Sequence, residues 1–217
     1  MTSGIAPSLE FRPCSMSESA RLLGVWTHPA RILEDVARRP SFLVPLTLIA
    51  VSAFAASAAL SGSSGALQQI LVAAQAASQS ALGCVIVAAV LTVAMARVYV
   101  APIEFQRTLA IVAYSMMPGV ALALLSAASI QLQIAAGLSP VHPIATNLAA
   151  FLHPASTSRF ADSLARSLDA ITLWEIVLIA CGLKIASGGR MSSGTCFRGV
   201  FVPWVIYVIG KAALAAQ

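Results

Sequence analysis

The sequence predicts an all-α polytopic membrane protein. It should be a bundle of five transmembrane helices, N-terminus inside and C-terminus outside, with amphipathic interfacial helices. Three observations predict it. The 217-residue chain is 59% hydrophobic and only 10% charged, with a mean hydropathy of +0.87. A soluble domain covers its surface with about a quarter charged residues. The apolar runs are continuous rather than alternating, which favours helices over strands, and each is close to the roughly 20 residues that span a hydrocarbon layer. The positive charges, finally, stack on one side of those runs.

The elements follow in order. Residues 1–21 read as a disordered cytoplasmic tail. They contain Glu10, Arg12, Cys14 and Glu18 and no apolar core of a signal peptide. A five-span membrane domain fills residues 22–217. Pro29–Arg39 reads as a short amphipathic helix, because proline suits a first helical turn. Ile32, Leu33 and Val36 share one face, and charged residues occupy the rest. Trp26 precedes it as an interface anchor, so this interfacial helix is expected to lie on the membrane surface.

The spans are Phe42–Leu60, Ala81–Tyr99, Leu109–Ile130, Ser167–Ile185 and Gly199–Ala216. Residues 66–80, with Gln68, Gln69, Gln75 and Gln79, read as a helical extension of the second span beyond the lipid core. Phe160, Leu164 and Leu168 recur at every fourth position, so a second amphipathic helix is expected to lead into span four.

Orientation comes from the basic residues. With the N-terminus inside, the inner segments hold Arg12, Arg21, Arg31, Arg38, Arg39, Arg97, Arg107, Lys184, Arg190 and Arg198. The outer segments hold Arg159, Arg166 and Lys211. Ten against three places the N-terminus on the cytoplasmic side, provided that the spans number five.

Several function classes drop out. A net charge of +5 invites a nucleic-acid reading, but no basic cluster carries interleaved aromatics. Cys84 and Cys181 lie inside apolar spans, and Cys14 and Cys196 fall on the reducing side, so no disulfide framework is expected. His142 and His153 lack companions at ligand spacing, so neither metal nor cofactor is implied. No catalytic motif is present, and Ser187-Gly188-Gly189-Arg190 lacks the context of a phosphate loop. That basic loop belongs near anionic headgroups.

With the spans placed, certain residues become recognisable. His28-Pro29 through Arg39-Pro40-Ser41, then Phe105-Gln106-Arg107-Thr108-Leu109, Ala113-Tyr114 and Pro118, follow in order. Leu168-Asp169, Trp174, Leu178 and Gly182 mark the fourth span, and Val202-Pro203-Trp204 the fifth. Together they resemble a bacterial-type member of the YIP family, the Ypt/Rab-interacting integral membrane proteins. The resemblance covers about residues 22–216. It implies a five-span domain of a kind that, in bacterial-type members, generally has no assigned biochemical activity. Eukaryotic relatives contact Rab GTPases through a cytosolic part, and the short N-terminal segment here does not carry that role over. Glu175 stands where the family pattern has a small polar or apolar residue.

Glu175 is also the leading candidate for chemistry, because a carboxylate inside a span is costly and functional by default. Counting from the inner ends of spans four and five puts Glu175 roughly 15 Å and Lys211 roughly 18 Å up the helices. An intramembrane ion pair between them is therefore expected. Snorkelling of both to the outer interface and a transport or proton-relay role are the alternatives. Pro118 removes a backbone hydrogen bond within span three and should kink it, with Gly119 beside it easing close approach. Glu104 and Arg107 can pair across one turn, most simply as part of a solvated loop. Ser52 with Ala56, Ala53 with Ser57 and Gly182 with Ala186 are small residues four apart that allow close helix packing.

The expected function is a non-enzymatic membrane scaffold or adaptor that organises membrane proteins or lipids. Its partners would be the lipid bilayer and other membrane proteins or further copies of itself, with no nucleic acid. A small transporter or channel using intramembrane Glu175 is the alternative.

Overall fold

The computed structural model describes residues 16–60, 65–137, 144, 146–152 and 157–216. Among them the only regular structure is helical, apart from one isolated bridge between Asn147 and Asp169. The expected histidines, His142 and His153, and residues 1–15 of the expected tail lie outside the described residues. The remainder of that tail is not extended chain. Ser17 caps α1 (Glu18–Thr27) by accepting from the Ala20 backbone N–H, and Arg21 is buried.

α2 (Pro29–Arg38) follows after His28. Its face does not lie against lipid as expected. Ile32, Leu33 and Val36 are fully buried, packed with Val25 of α1 and with Ala110, Ile111, Tyr114 and Leu178. The helix had apolar neighbours available at the end of the bundle, and burying the stripe there removes it from water.

α3 (Leu43–Leu60) packs along α4 (Ala66–Arg97), a single helix of 32 residues that joins the glutamine-bearing segment to the second span. α5 (Phe105–Ser115) and α6 (Met117–Ala135) form the third apolar element, interrupted at Met116. A short 3₁₀ turn at Leu148–Phe151 precedes α7 (Arg159–Ser167), which packs against α9. α8 (Ala170–Ala186) and α9 (Ser193–Ala215) complete the chain. Gly188 and Gly189, at φ of 65° and 75°, make the left-handed turn between these two helices.

Among the described residues, four elements are long and apolar enough to cross a membrane: Leu43–Leu60, Ala66–Arg97, Phe105–Ala135 and Ser193–Ala215. α8 has 17 residues and falls short of those four. The expected fourth span began at Ser167, but the backbone breaks at Leu168 and Asp169 takes the cap. The Asp169 carboxylate accepts from the Ile171 N–H at 2.7 Å and from the Thr146 hydroxyl at 2.8 Å. An aspartate is an excellent cap and a poor helix interior, so capping shortens the apolar run.

The core centres on Met95, Val112, Ala113, Leu183 and Cys196, all fully buried between α4, α5, α8 and α9. Gly182 of α8 gives Ile111 of α5 room: a Cβ there would overlap the Ile111 side chain. Ser52 of α3 is buried and returns its hydroxyl to the Ile49 carbonyl at 2.9 Å.

Candidate functional site

The break in the third apolar element follows from Pro118. Its ring cannot donate to the preceding turn, so the ladder stops at Met116 and restarts with proline in the first turn of α6. Restarting leaves backbone N–H groups without carbonyl partners inside the bundle. Glu175 of α8 supplies one: its Oε1 accepts from the Gly119 N–H at 2.9 Å. Only glycine permits this approach, because a Cβ on residue 119 would stand 2.6 Å from that oxygen. The second carboxylate oxygen makes no hydrogen bond or ion pair among the described residues. The Ser115 hydroxyl at the end of α5 is buried and unpartnered.

The expected Glu175–Lys211 pair does not form. Lys211 is exposed, and the ion pairs among the described residues do not include it. The reason is helix length. α9 begins at Ser193, six residues before the expected start. From the turn joining α8 and α9, Glu175 then lies about 16 Å along its helix and Lys211 about 27 Å along its own, at 1.5 Å per residue.

Glu175 lines two cavities. The larger, about 640 Å³, lies between α3, α4 and α6 and includes Ser52, Ser80, Gly83 and Gly119. The smaller, about 310 Å³, runs between α4, α8 and α9 past Leu91, Ile179, Val200 and Trp204. Ile86, Val87, Met116 and Tyr207 belong to both. A mostly apolar cavity with few polar groups has the make-up of a small-molecule site.

A second polar cluster holds α1 and α2 to the bundle. Arg21 reaches Asp35 of α2 at 2.7 Å, Glu18 at 3.2 Å and the Ser41 hydroxyl at 2.8 Å. Ser41 in turn donates to Glu18 at 2.7 Å, and the hydroxyl of fully buried Tyr114 donates to the other Glu18 oxygen. Burial pushes the Glu18 carboxyl up, but the hydroxyls of Tyr114 and Ser41 and the charge of Arg21 outweigh it and hold it below its ordinary value. Burial likewise works against the Arg21 charge, and the Asp35 carboxylate more than compensates, so the guanidinium stays firmly protonated. Three positions quoted for their order in the chain, Ser41, Tyr114 and the stretch ending at Arg39, thus meet in space.

Residues 23–214 match the Yip1 domain family. The protein belongs to the Yip1 family. It matches no curated protein and no solved structure. The Yip1 domain begins within α1 and ends at the last turn of α9, so the docked N-terminal helices are part of it. It is a multipass integral membrane domain.

Sequence reasoning missed Arg21, Glu18 and Asp35 as a cluster. Arg21 counted only as a topology charge. The signal was available: Ser17 followed by Glu18 marks a helix start, and Leu22, Val25 and Trp26 then fall at helical spacing. Glu104 and Arg107 do approach, at 3.8 Å, across the start of α5: Glu104 is the exposed N-cap, whereas Arg107 stands in the first turn and is half-buried. Among the described residues no cluster of metal-ligating side chains forms, and Cys84, Cys181 and Cys196 are free thiols.

Proposed function

We propose that this Yip1-family protein is a non-enzymatic membrane scaffold or adaptor, crossing the bacterial inner membrane five times with its N-terminus in the cytoplasm. The observation that supports the reading is the docking of α1 and α2. Five side chains, Glu18, Arg21, Asp35, Ser41 and Tyr114, fix a charged two-helix module to one end of the apolar bundle. An adaptor needs a surface of constant shape outside the lipid, and a flexible tail does not provide one. Outward from the module point Leu23, 73% exposed, and Trp26, 49% exposed, beside the charges of α2. α8 makes the remaining crossing with its 17 residues, supported by its neighbours. The distribution of Lys and Arg supports the orientation.

The test is site-specific photocrosslinking in native membranes from Leu23, with Val93 on the bundle surface as control. A stoichiometric partner captured at Leu23 and lost on Arg21→Ala supports the adaptor. A protein that crosslinks to nothing from Leu23 and purifies alone removes it.

One observation favours a second reading, a small transporter or channel. Glu175 sits at an interrupted helix and faces two cavities, and intramembrane carboxylates mark ion and proton paths. Flux through proteoliposomes that is lost on Glu175→Gln would support it.

A further inference from the structure

We propose that the paired cavities around Glu175 form a binding site for a single-chain hydrophobic amine. The amino group would sit on the unpartnered Glu175 oxygen, and the alkyl chain would lie in the slot between α4, α8 and α9. The inference goes beyond the scaffold reading and does not depend on it.

Four observations carry it. First, the cavities measure about 640 and 310 Å³, within the roughly 300–1,000 Å³ typical of small-molecule sites. Second, the smaller one is a mostly apolar cavity lined by Leu91, Ile179, Val200 and Trp204, which suits an alkyl chain. Third, Glu175 stands at the junction of the two, so a ligand in the slot places its head on the carboxylate. Fourth, that carboxylate is held by one oxygen only: the Gly119 N–H takes Oε1, and the other oxygen has no partner among the described residues.

A carboxylate oxygen accepts hydrogen bonds, so the complementary head is a donor, and an amine gives the strongest, charge-assisted bond. Ser80 and Tyr207 line the wider part and offer further hydroxyls to the head. The depth of the site selects a single-chain ligand over a two-chain aminophospholipid. Glu175 lies five residues inside the start of α8, about 8 Å along its axis. A phospholipid amine would have to leave the headgroup layer to reach it.

The experiment measures dodecylamine binding to the full chain in phosphatidylcholine nanodiscs. Trp204 fluorescence is the readout in a Trp26→Phe, Trp174→Phe background, and empty nanodiscs give the partition baseline. Two variants test the site. Glu175→Gln keeps an acceptor and removes the acid. Gly83→Leu narrows the larger cavity, and a Cβ at Gly83 meets nothing within 4 Å. Dodecylamine is expected to bind saturably, about tenfold or more weaker on Glu175→Gln, and more weakly on Gly83→Leu, which crowds the part that takes the head. Dodecanol and butylamine, each lacking one half of the ligand, should bind about tenfold or more weaker than dodecylamine.

The proposal is overturned by uptake no greater than in empty nanodiscs, by binding unchanged in both variants, or by dodecanol binding as tightly as dodecylamine. Displacement of dodecylamine by phosphatidylethanolamine placed in the nanodisc would assign the site to a membrane lipid instead and equally overturn the single-chain ligand.

Discussion

Tyr114, buried in the interrupted third apolar element, donates its hydroxyl hydrogen to the carboxylate of Glu18, 96 positions earlier in the chain. The bond links the first helix to the bundle and makes the N-terminal module part of the fold. Tyr114→Phe keeps the ring and deletes the bond. A hydrogen bond to a charged group contributes about 1.5–3 kcal/mol, so α1 and α2 should become markedly more accessible to protease. Limited proteolysis in nanodiscs reads this directly, with cleavage between α2 and α3 as the signal.

Arg21 is the hub of the same cluster, and its side chain is only 5% exposed. Arg21→Ala leaves Asp35 and Glu18 facing one another without a cation. Breaking a buried pair from one side costs about 3–5 kcal/mol, whereas removing both partners is far milder. Arg21→Met should therefore lower the thermal midpoint sharply, and Arg21→Met with Asp35→Leu should recover much of the loss. Equal midpoints for the single and double variants would contradict the ion-pair account.

The cluster also sets a pH dependence. The Glu18 carboxyl is held below its ordinary value of 4.5 in the folded protein. Its contribution is then fully present above that ordinary value and is lost as the pH falls through the folded value. Docking of α1 and α2 should weaken on acidification below pH 4.5, seen as a change in Trp26 fluorescence. Glu18→Gln should flatten the profile.

Two glycines predict different costs. A Cβ at Gly119 meets the end of a flexible glutamate, whereas a Cβ at Gly182 meets the branched Ile111 side chain in the core. Gly119→Ala should swing Glu175 away at the cost of one hydrogen bond, about 1 kcal/mol. Gly182→Ala overpacks and should cost about 1–3 kcal/mol. Melting both variants beside Ile111→Ala and a Gly182→Ala, Ile111→Ala pair, in which the overlapping Cγ2 is gone and the cost should fall below the sum of the two single substitutions, checks the assignment.

The number of crossings has a direct test. Five put the termini on opposite sides of the membrane, and four put them on the same side. Reporters fused to residue 217 and to the N-terminus should give opposite topological signals. Identical signals would make α8 a helix that does not cross.

The helical architecture and four of its long apolar elements were legible because continuous apolar runs leave a chain few options in lipid. The contacts were less so. Ile32, Leu33 and Val36 could be read as one face, but periodicity does not say whether lipid or protein covers that face. Asp169 ended a run that hydropathy alone carried three residues further, since a cap acts through a local hydrogen bond that a hydropathy window averages away. The height match between Glu175 and Lys211 failed for the same kind of reason. It depended on where α9 begins, and Ser192 caps that helix before the apolar residues start. Pro118 was readable as a break, but the acceptor that answers it lies on another helix, 56 residues away from Gly119.

The length of α4 bears on which membranes suit this protein. Its 32 residues make a rod of about 48 Å, against a hydrocarbon layer of about 30 Å. The surplus is not simply a polar stalk, since Leu67, Ile70 and Leu71 point outward at 72, 56 and 61% exposure. A thin bilayer leaves those side chains among headgroups and water unless the helix leans over. A thick one accommodates them upright. Hydrophobic mismatch at a single helix thus couples the posture of the protein to bilayer thickness, and it draws the molecule toward the thicker patches of any membrane that has them.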